Sequence, residues 1–358
     1  MSSARSGISV RRCPPAKSLG GGISGKVKLV HTYSDIISLE NLCLAWQEFI
    51  VGKKKKFDVQ KFAKNLMDNI IELHEALVNK TYHHGGYESF FVNDPKRRHI
   101  HKASVRDRLL HRAIYCLLYP FFDKTFTADS FSCRLDKGTH KAINRLQTMF
   151  YQVSKNNTRT CWVLKCDIRK YFASINHKIL LSILREYIPD QEITWLLTNI
   201  IESFHTDKAT SIGLPLGNLT SQLFANVYMN YFDQWVKHKL KFEQYIRYAD
   251  DFVFLSTDQN LLKSIIPQVQ LFLQTQLKLS LHPTKIMLKT FASGIDFLGW
   301  VHFPNYRVLR ATAKRRMFAK LRQSPKEEVL QSYLGLISHG NAKKLRQEVL
   351  GEYWLWQE

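Results

Sequence analysis

Long apolar runs are missing from this chain. The most hydrophobic stretch, Leu109 to Phe122, is broken by His111, Arg112 and Pro120, and it falls short of the roughly 20 residues that span a bilayer. No membrane segment is therefore expected. Acidic residues are scarce, with 30 Asp and Glu against 52 Lys and Arg and a formal charge of +22. That imbalance favours a polyanionic partner such as nucleic acid through counterion release and steering, although a membrane surface or a generally basic protein also fits it. The six cysteines, Cys13, Cys43, Cys116, Cys133, Cys161 and Cys166, form no Cys-x-x-Cys pair and no zinc-like Cys/His spacing. Their pattern argues against a disulfide scaffold or a zinc site and for reduced thiols in a cytoplasmic protein. What is plentiful is core material: 45% of the 358 residues are hydrophobic, enough for two or three packed domains.

Residues Met1 to about Val30 are rich in Ser, Gly and basic side chains, including Leu19-Gly20-Gly21-Gly22-Ile23-Ser24-Gly25, and lack the apolar core of a signal peptide. A flexible basic arm is expected there, either a solvated tail or a segment that tracks RNA phosphates. Ser38 is a plausible cap for a helix carrying Leu39, Leu42, Trp46 and Phe49. After Lys53 to Lys56, which suits a solvated turn as well as an RNA contact, Asp58 is expected to cap a second helix. Its apolar stripe is Val59, Phe62, Leu66, Ile70, Leu73 and Leu77. Both stripes read as core.

Chemistry concentrates further along. In Gln244 to Thr257, QYIRYADDFVFLST, two adjacent aspartates interrupt two apolar arms, a pattern that reads as two strands joined by a tight turn. Asp250-Asp251 alone also reads as a polar turn between surface strands. Upstream, Cys161 to Ile168 is a run of β-branched and aromatic residues that delivers Asp167 at the end of a buried strand. Adjacent anions in an apolar hairpin are costly without a cation in front of them. Three convergent acids suit Mg²⁺, which takes a few carboxylates plus phosphate and water, and two such ions support in-line displacement at phosphorus.

These residues, with others in order, resemble a bacterial, retroelement-type reverse transcriptase from about Ser34 to the C-terminus. Arg97-Arg98-His99-Ile100 through Arg108 resembles the first fingers motif, and Ser130 to Arg134 with Lys137-Gly138-Thr139 the second. Asp167 to Phe172 matches motif A, Gly213 to Gln222 motif B and Tyr248-Ala249-Asp250-Asp251 motif C. Pro283-Thr284-Lys285 resembles motif D and Phe297-Leu298-Gly299-Trp300 the primer-grip motif E.

The resemblance implies an α+β right-hand polymerase of fingers, palm and thumb with an antiparallel palm sheet. The expected boundaries are an arm over 1–30, fingers with the start of the palm over 31–155, palm over 156–304 with a fingers insertion near 180–215, and a helical thumb over 305–358. Two Mg²⁺, or Mn²⁺ in their place, would sit on Asp167, Asp250, Asp251 and the main chain of Ile168. Arg98, and beside it Lys96 or Lys102, is the choice for the triphosphate, because Arg offers a bidentate fork. Phe172 reads as core without the family and as a steric gate against a 2′-hydroxyl with it. Leu216, next to Gly217, stands where most relatives have glutamine, and Gln222 follows Ser221 where they have Ser-Pro. That departure resembles diversity-generating retroelement enzymes and some defence-associated ones. Glutamine donates a hydrogen bond and leucine only packs, so reduced fidelity is expected, against the alternative of a neutral apolar turn. Lys285 is either the general acid for pyrophosphate or a surface lysine.

Nucleic-acid contacts are expected from Arg106 and Arg108, for which intrahelical ion pairs are the alternative, from Arg134, Gly299 and Trp300, and from Lys314, Arg315, Lys320 and Arg322 on the basic helix Ala311 to Arg322. Expected partners are template RNA, primer or cDNA and dNTPs, with a small accessory protein or structured non-coding RNA. No room is expected for an endonuclease, ribonuclease H or zinc module. The activity implied is error-prone RNA-directed DNA synthesis. The alternatives are a defence-associated, template-independent or protein-primed polymerase, and a non-catalytic maturase-like RNA-binding factor, which would be expected to have lost an acid.

Overall fold

The computed structural model describes residues 27–93, 97–206 and 210–355. Most of the expected basic arm, and Lys96, lie outside the described residues. Of the arm's end, Leu29 is buried and its N–H donates to the Tyr187 carbonyl at 2.8 Å. The described residues divide into two units, one from Met1–Phe126 and Lys170–Tyr231, the other from Thr127–Arg169 and Phe232–Glu358.

In the first unit Ser38 caps the helix Leu39–Phe49 by accepting from Asn41 N–H. The single helix expected over Val59 to Leu77 is two, Phe57–Lys64 and Leu66–Val78, parted at Asn65 with φ −120° and ψ 50°. The break is stabilised by Asn69, whose Nδ2 donates to the Phe62 carbonyl that a continuous helix would have used. Asp58 is no cap either: it lies inside the first turn, and its carboxylate takes Arg108 at 2.5 Å and Lys102 at 2.9 Å. The antiparallel hairpin of β1 (Tyr87–Val92) and β2 (Arg98–Ala103) leads into the helix Val105–Asp123, capped by Ser104. Helices His177–Tyr187 and Gln191–Glu202 follow.

The second unit carries a four-stranded antiparallel sheet of β3 (Trp162–Asp167), β4 (Tyr245–Tyr248), β5 (Asp251–Ser256) and β6 (Met287–Thr290), in the order β4-β5-β3-β6. One face of its middle strands, with Leu164, Cys166, Phe252 and Phe254, is apolar; the other carries Val163, Val253 and Leu255 and, towards the strand end, Lys165, Asp167 and Asp251. Val163, Val253 and Leu255 pack with Ala142, Ile143, Leu146 and Met149 of the helix Thr139–Ser154. Sharing that core groups Thr127–Arg169 with the later strands, within and beyond the segment expected to hold the fingers and the start of the palm. A second sheet, β7 (Ile295–Phe297), β8 (Trp300–His302) and β9 (Arg307–Leu309), adds Phe297 and Trp300 to the same core. Three C-terminal helices, Ala311–Gln323, Glu327–Ile337 and Lys343–Leu355, enclose Met317, Leu321, Leu330, Ile337, Val349 and Tyr353. Among the described residues no helix is long and apolar enough to cross a membrane.

Candidate active site

Strand register gathers the acids. β3 and β5 run antiparallel with Asp167 directly opposite Asp251, and Asp250 sits on the two-residue turn between β4 and β5. Ala249, the other turn residue, has φ +56°, a conformation that costs a non-glycine residue about a kcal/mol. Arg247 holds it there. The guanidinium donates to the Ala249 carbonyl at 3.0 Å, to Ser130 Oγ at 2.9 Å, and bidentately to Asp233 at 2.8 and 2.7 Å. Arg247 and Asp233 are both fully buried, and Tyr245 also donates to Asp233. Ile168 N–H donates to the Asp250 carbonyl at 3.1 Å, tying the turn to the end of β3. Segment 280–285 is stitched alongside: Arg169 N–H reaches the Ser280 carbonyl, and His282 N–H reaches that of Asp167 at 2.8 Å.

That stitching delivers Lys285, whose Nζ lies 2.8 Å from Asp167 Oδ1. A second lysine mirrors it. Lys165, on the same strand face as Asp167, lies 3.0 Å from Asp251 Oδ2 and donates to the Asp296 carbonyl at 2.7 Å. Burial, and after it the charges of Asp167 and Asp250, push the Asp251 carboxyl up to about 6 against the pull of Lys165. Burial likewise pushes the neighbouring Cys166 thiol up to about 12, so it stays neutral.

Among the described residues no three His, Cys, Asp or Glu side chains stand grouped as a ready metal cage; two of the acids are turned to lysines instead. The donors nonetheless fit a hard cation. Asp251 Oδ1 is buried with no hydrogen-bond partner, and such an orphaned carboxylate oxygen calls for a cation whose remaining ligands are water or phosphate.

Of the residues assigned to the incoming nucleotide, the described ones, Arg98, Phe172, Leu216 and Gly217, fall in the first unit. Phe172, half-buried on the short helix Tyr171–Ser174, accepts from Leu214 N–H at 2.8 Å. The half-buried Leu216 accepts from His101 N–H of β2 at 2.9 Å. A Cβ on Gly217, φ +112°, would meet Ile100 Cγ2 at 2.9 Å, which is why glycine sits where the turn meets the hairpin. Arg98 is exposed at the start of β2, while its neighbour Arg97 stacks on Phe91 at 4.0 Å.

Several expected nucleic-acid contacts are committed elsewhere. Trp300 is 1% exposed, packed so tightly against Gly340 that a Cβ there would stand 2.1 Å from the indole; it is core, not a groove contact. Gly299 is on the surface turn of the β7–β8 hairpin with Leu298, both at positive φ, as a two-residue hairpin loop requires. Arg134 donates to the Thr127 and Ser130 carbonyls. Arg108 and Lys102 bind Asp58, and Arg106 lies over the Tyr82 ring at 5.0 Å. The intrahelical alternative for the arginines fails as well, because the buried Asp107 accepts from Tyr82, Gly85 and Ser104. Lys314 pairs with Glu348, whereas Arg315, Lys320 and Arg322 are exposed on the outer face of their helix.

Sequence reasoning missed Lys165, Asp296 and the Arg247–Asp233 pair. The signals were present: a lysine two residues before Asp167 shares its face, and an arginine inside an apolar strand requires a buried partner.

The family described as reverse transcriptase (RNA-dependent DNA polymerase) matches residues 93–302, more than half of the chain. The chain belongs to the reverse transcriptase family. Its α+β fold with an antiparallel acid-bearing sheet is that family's right-hand polymerase fold. Protein YkfC of Escherichia coli (strain K12) is 26% identical over 263 residues, 63% of this chain and 66% of that protein. The group II intron-encoded protein LtrA of Lactococcus lactis subsp. cremoris is 23% identical over 185 residues, 49% of this chain and 30% of that one. The chain thus spans less than two thirds of the length of either relative. The structure of apo telomerase from Candida tropicalis, truncated from the C-terminal domain, superposes with a TM-score of 0.47 at 14% identity, covering 63% of this chain and 55% of that one.

Proposed function

We propose that the chain is an RNA-directed DNA polymerase, in which the 3′-hydroxyl of a primer attacks the α-phosphate of a dNTP. The observation that carries this is the register of Asp167 opposite Asp251, with Asp250 on the connecting turn. Asp167, Asp250, Asp251 and the Ile168 carbonyl would hold two Mg²⁺, or Mn²⁺, which would activate the attacking oxygen and stabilise the leaving one. Lys285, already on Asp167, is assigned the proton given to departing pyrophosphate. Arg98 and Lys96 serve the triphosphate, and Phe172 occupies the space a 2′-hydroxyl would need. Arg315, Lys320 and Arg322 follow the phosphate backbone of the template–primer duplex. In this scheme the chain supplies fingers, palm and thumb to template RNA and its cDNA.

Leu216 in place of a hydrogen-bonding glutamine supports lowered fidelity, and with it a mutagenic role of the diversity-generating kind served by an accessory protein or structured RNA. A defence-associated role is the second reading, because the same motif B departure occurs there. Primer extension on a defined RNA template tests the polymerase assignment: Asp250→Asn should abolish dNTP incorporation while RNA binding persists. Full incorporation by that variant would sink it.

A further inference from the structure

The two lysines at the acid cluster are not equivalent. Lys285 follows a turn and keeps 41% of its side chain exposed beside Asp167. Lys165 keeps only 15% exposure and is fixed three ways: by its place in the middle of β3, by Asp251 Oδ2 at 3.0 Å and by the Asp296 carbonyl at 2.7 Å. Asp296, on β7, is itself ion-paired to Arg310, whose N–H donates to the Gly299 carbonyl at 3.0 Å. Lys165 is therefore built into the joint between the acid-bearing sheet and the second sheet, held on Asp251 from one side and on the Asp296 carbonyl from the other.

Its position has an electrostatic consequence. Three carboxylates and two ammonium groups leave the cluster with one net negative charge, too little to attract two divalent ions. An ammonium held on one oxygen of Asp251 repels a divalent ion on the other, at close range and with little solvent between them. It also fixes the carboxylate so that Oδ1, the oxygen without a partner, is the one presented.

We propose that Lys165 is a positioning residue and built-in counter-cation: it holds Asp251 by Oδ2 and keeps the metal affinity of the empty cluster low, so that full loading waits for an anionic substrate. This rests on the polymerase reading, because it takes the three aspartates as the metal-binding set. Lys285, the more exposed of the two, contributes less to the same effect.

The test is Mn²⁺ binding to the full chain without nucleotide or nucleic acid, followed by the electron paramagnetic resonance of free Mn²⁺, with Mg²⁺ as competitor. Lys165→Met keeps the stem and removes the charge, and should bind Mn²⁺ about tenfold more tightly than the parent. Lys165→Arg keeps the charge and should stay within about twofold of it. Should the Met variant not fold, Lys165→Gln carries the same expectation, with a thermal melt as the folding control. Equal or weaker Mn²⁺ binding by a folded, uncharged variant overturns the proposal. Asp250→Asn separates this from the underlying reading: binding that depends on Asp250 but ignores Lys165 defeats only the role of Lys165, whereas binding indifferent to Asp250 defeats the metal cluster itself.

Discussion

Two hairpins carry residues assigned to the reaction, and they are built in opposite ways. In the acid hairpin every β4 residue but the last is buried, and so are the four inner residues of β5. Its turn is fixed from behind by Arg247, Asp233 and Ser130. In β1 and β2 most side chains are exposed, and the Phe91 ring contacts His99 at 4.5 Å and Arg97 at 4.0 Å. Under the proposed metal-binding role the acids would need fixed geometry, because a misplaced carboxylate would lose its cation. On the proposed assignment of Arg98 to the triphosphate, the β1–β2 hairpin would need charge and surface more than rigidity.

Arg247 is the place to break that contrast. Arg247→Met strands a buried Asp233 carboxylate, and loss of one partner of such a pair costs about 3–5 kcal/mol. Denaturant unfolding should show a loss of that size, while Phe91→Ala on the open hairpin should cost less than about 1 kcal/mol. Equal losses would mean that the two hairpins are equally supported.

A smaller effect comes with pH, and each unit contains a sensor. Burial, and then His84, lowers the buried His111 to about 3; burial, and then Arg307, lowers His302 to about 4. Both fold neutral while the unfolded chain protonates near 6.5, so their contribution is complete above about 6.5 and is lost as pH falls towards the folded values. Between pH 6.5 and 5 each should cost about 2 kcal/mol. His111→Gln should flatten the pH dependence of the unfolding free energy by about one proton; an unchanged slope would show that its ring is already solvated.

Smallest is the effect of Leu216. Restoring glutamine should return roughly one hydrogen bond, about 0.5–1.5 kcal/mol, and lower misincorporation by between a few-fold and about tenfold. An unchanged error spectrum in an active Leu216→Gln variant removes this support for a mutagenic role and favours the defence-associated one.

The acid strands were legible because apolar runs ending in aspartate leave few alternatives, and the register that pairs Asp167 with Asp251 follows once those strands are antiparallel. The basic helix at Ala311 was legible from its periodicity. The break at Asn65 was not, because its stabilising bond comes from Asn69 and the apolar spacing continues across it. Nor was the burial of Trp300, which depends on Gly340, 40 residues later in the sequence, leaving room for the ring. Charge alone also misjudged the arginines: Arg108 and Arg134 satisfy Asp58 and main-chain carbonyls that only the folded chain brings to them.

The most direct measurement of the central claim is the sequence of the product. Primer extension with Mg²⁺ and all four dNTPs, run on two RNA templates of unrelated sequence, should give two DNA products, each complementary to its own template apart from scattered misincorporations. The same product from both templates, or extension that continues when RNA is omitted, would contradict RNA-directed synthesis.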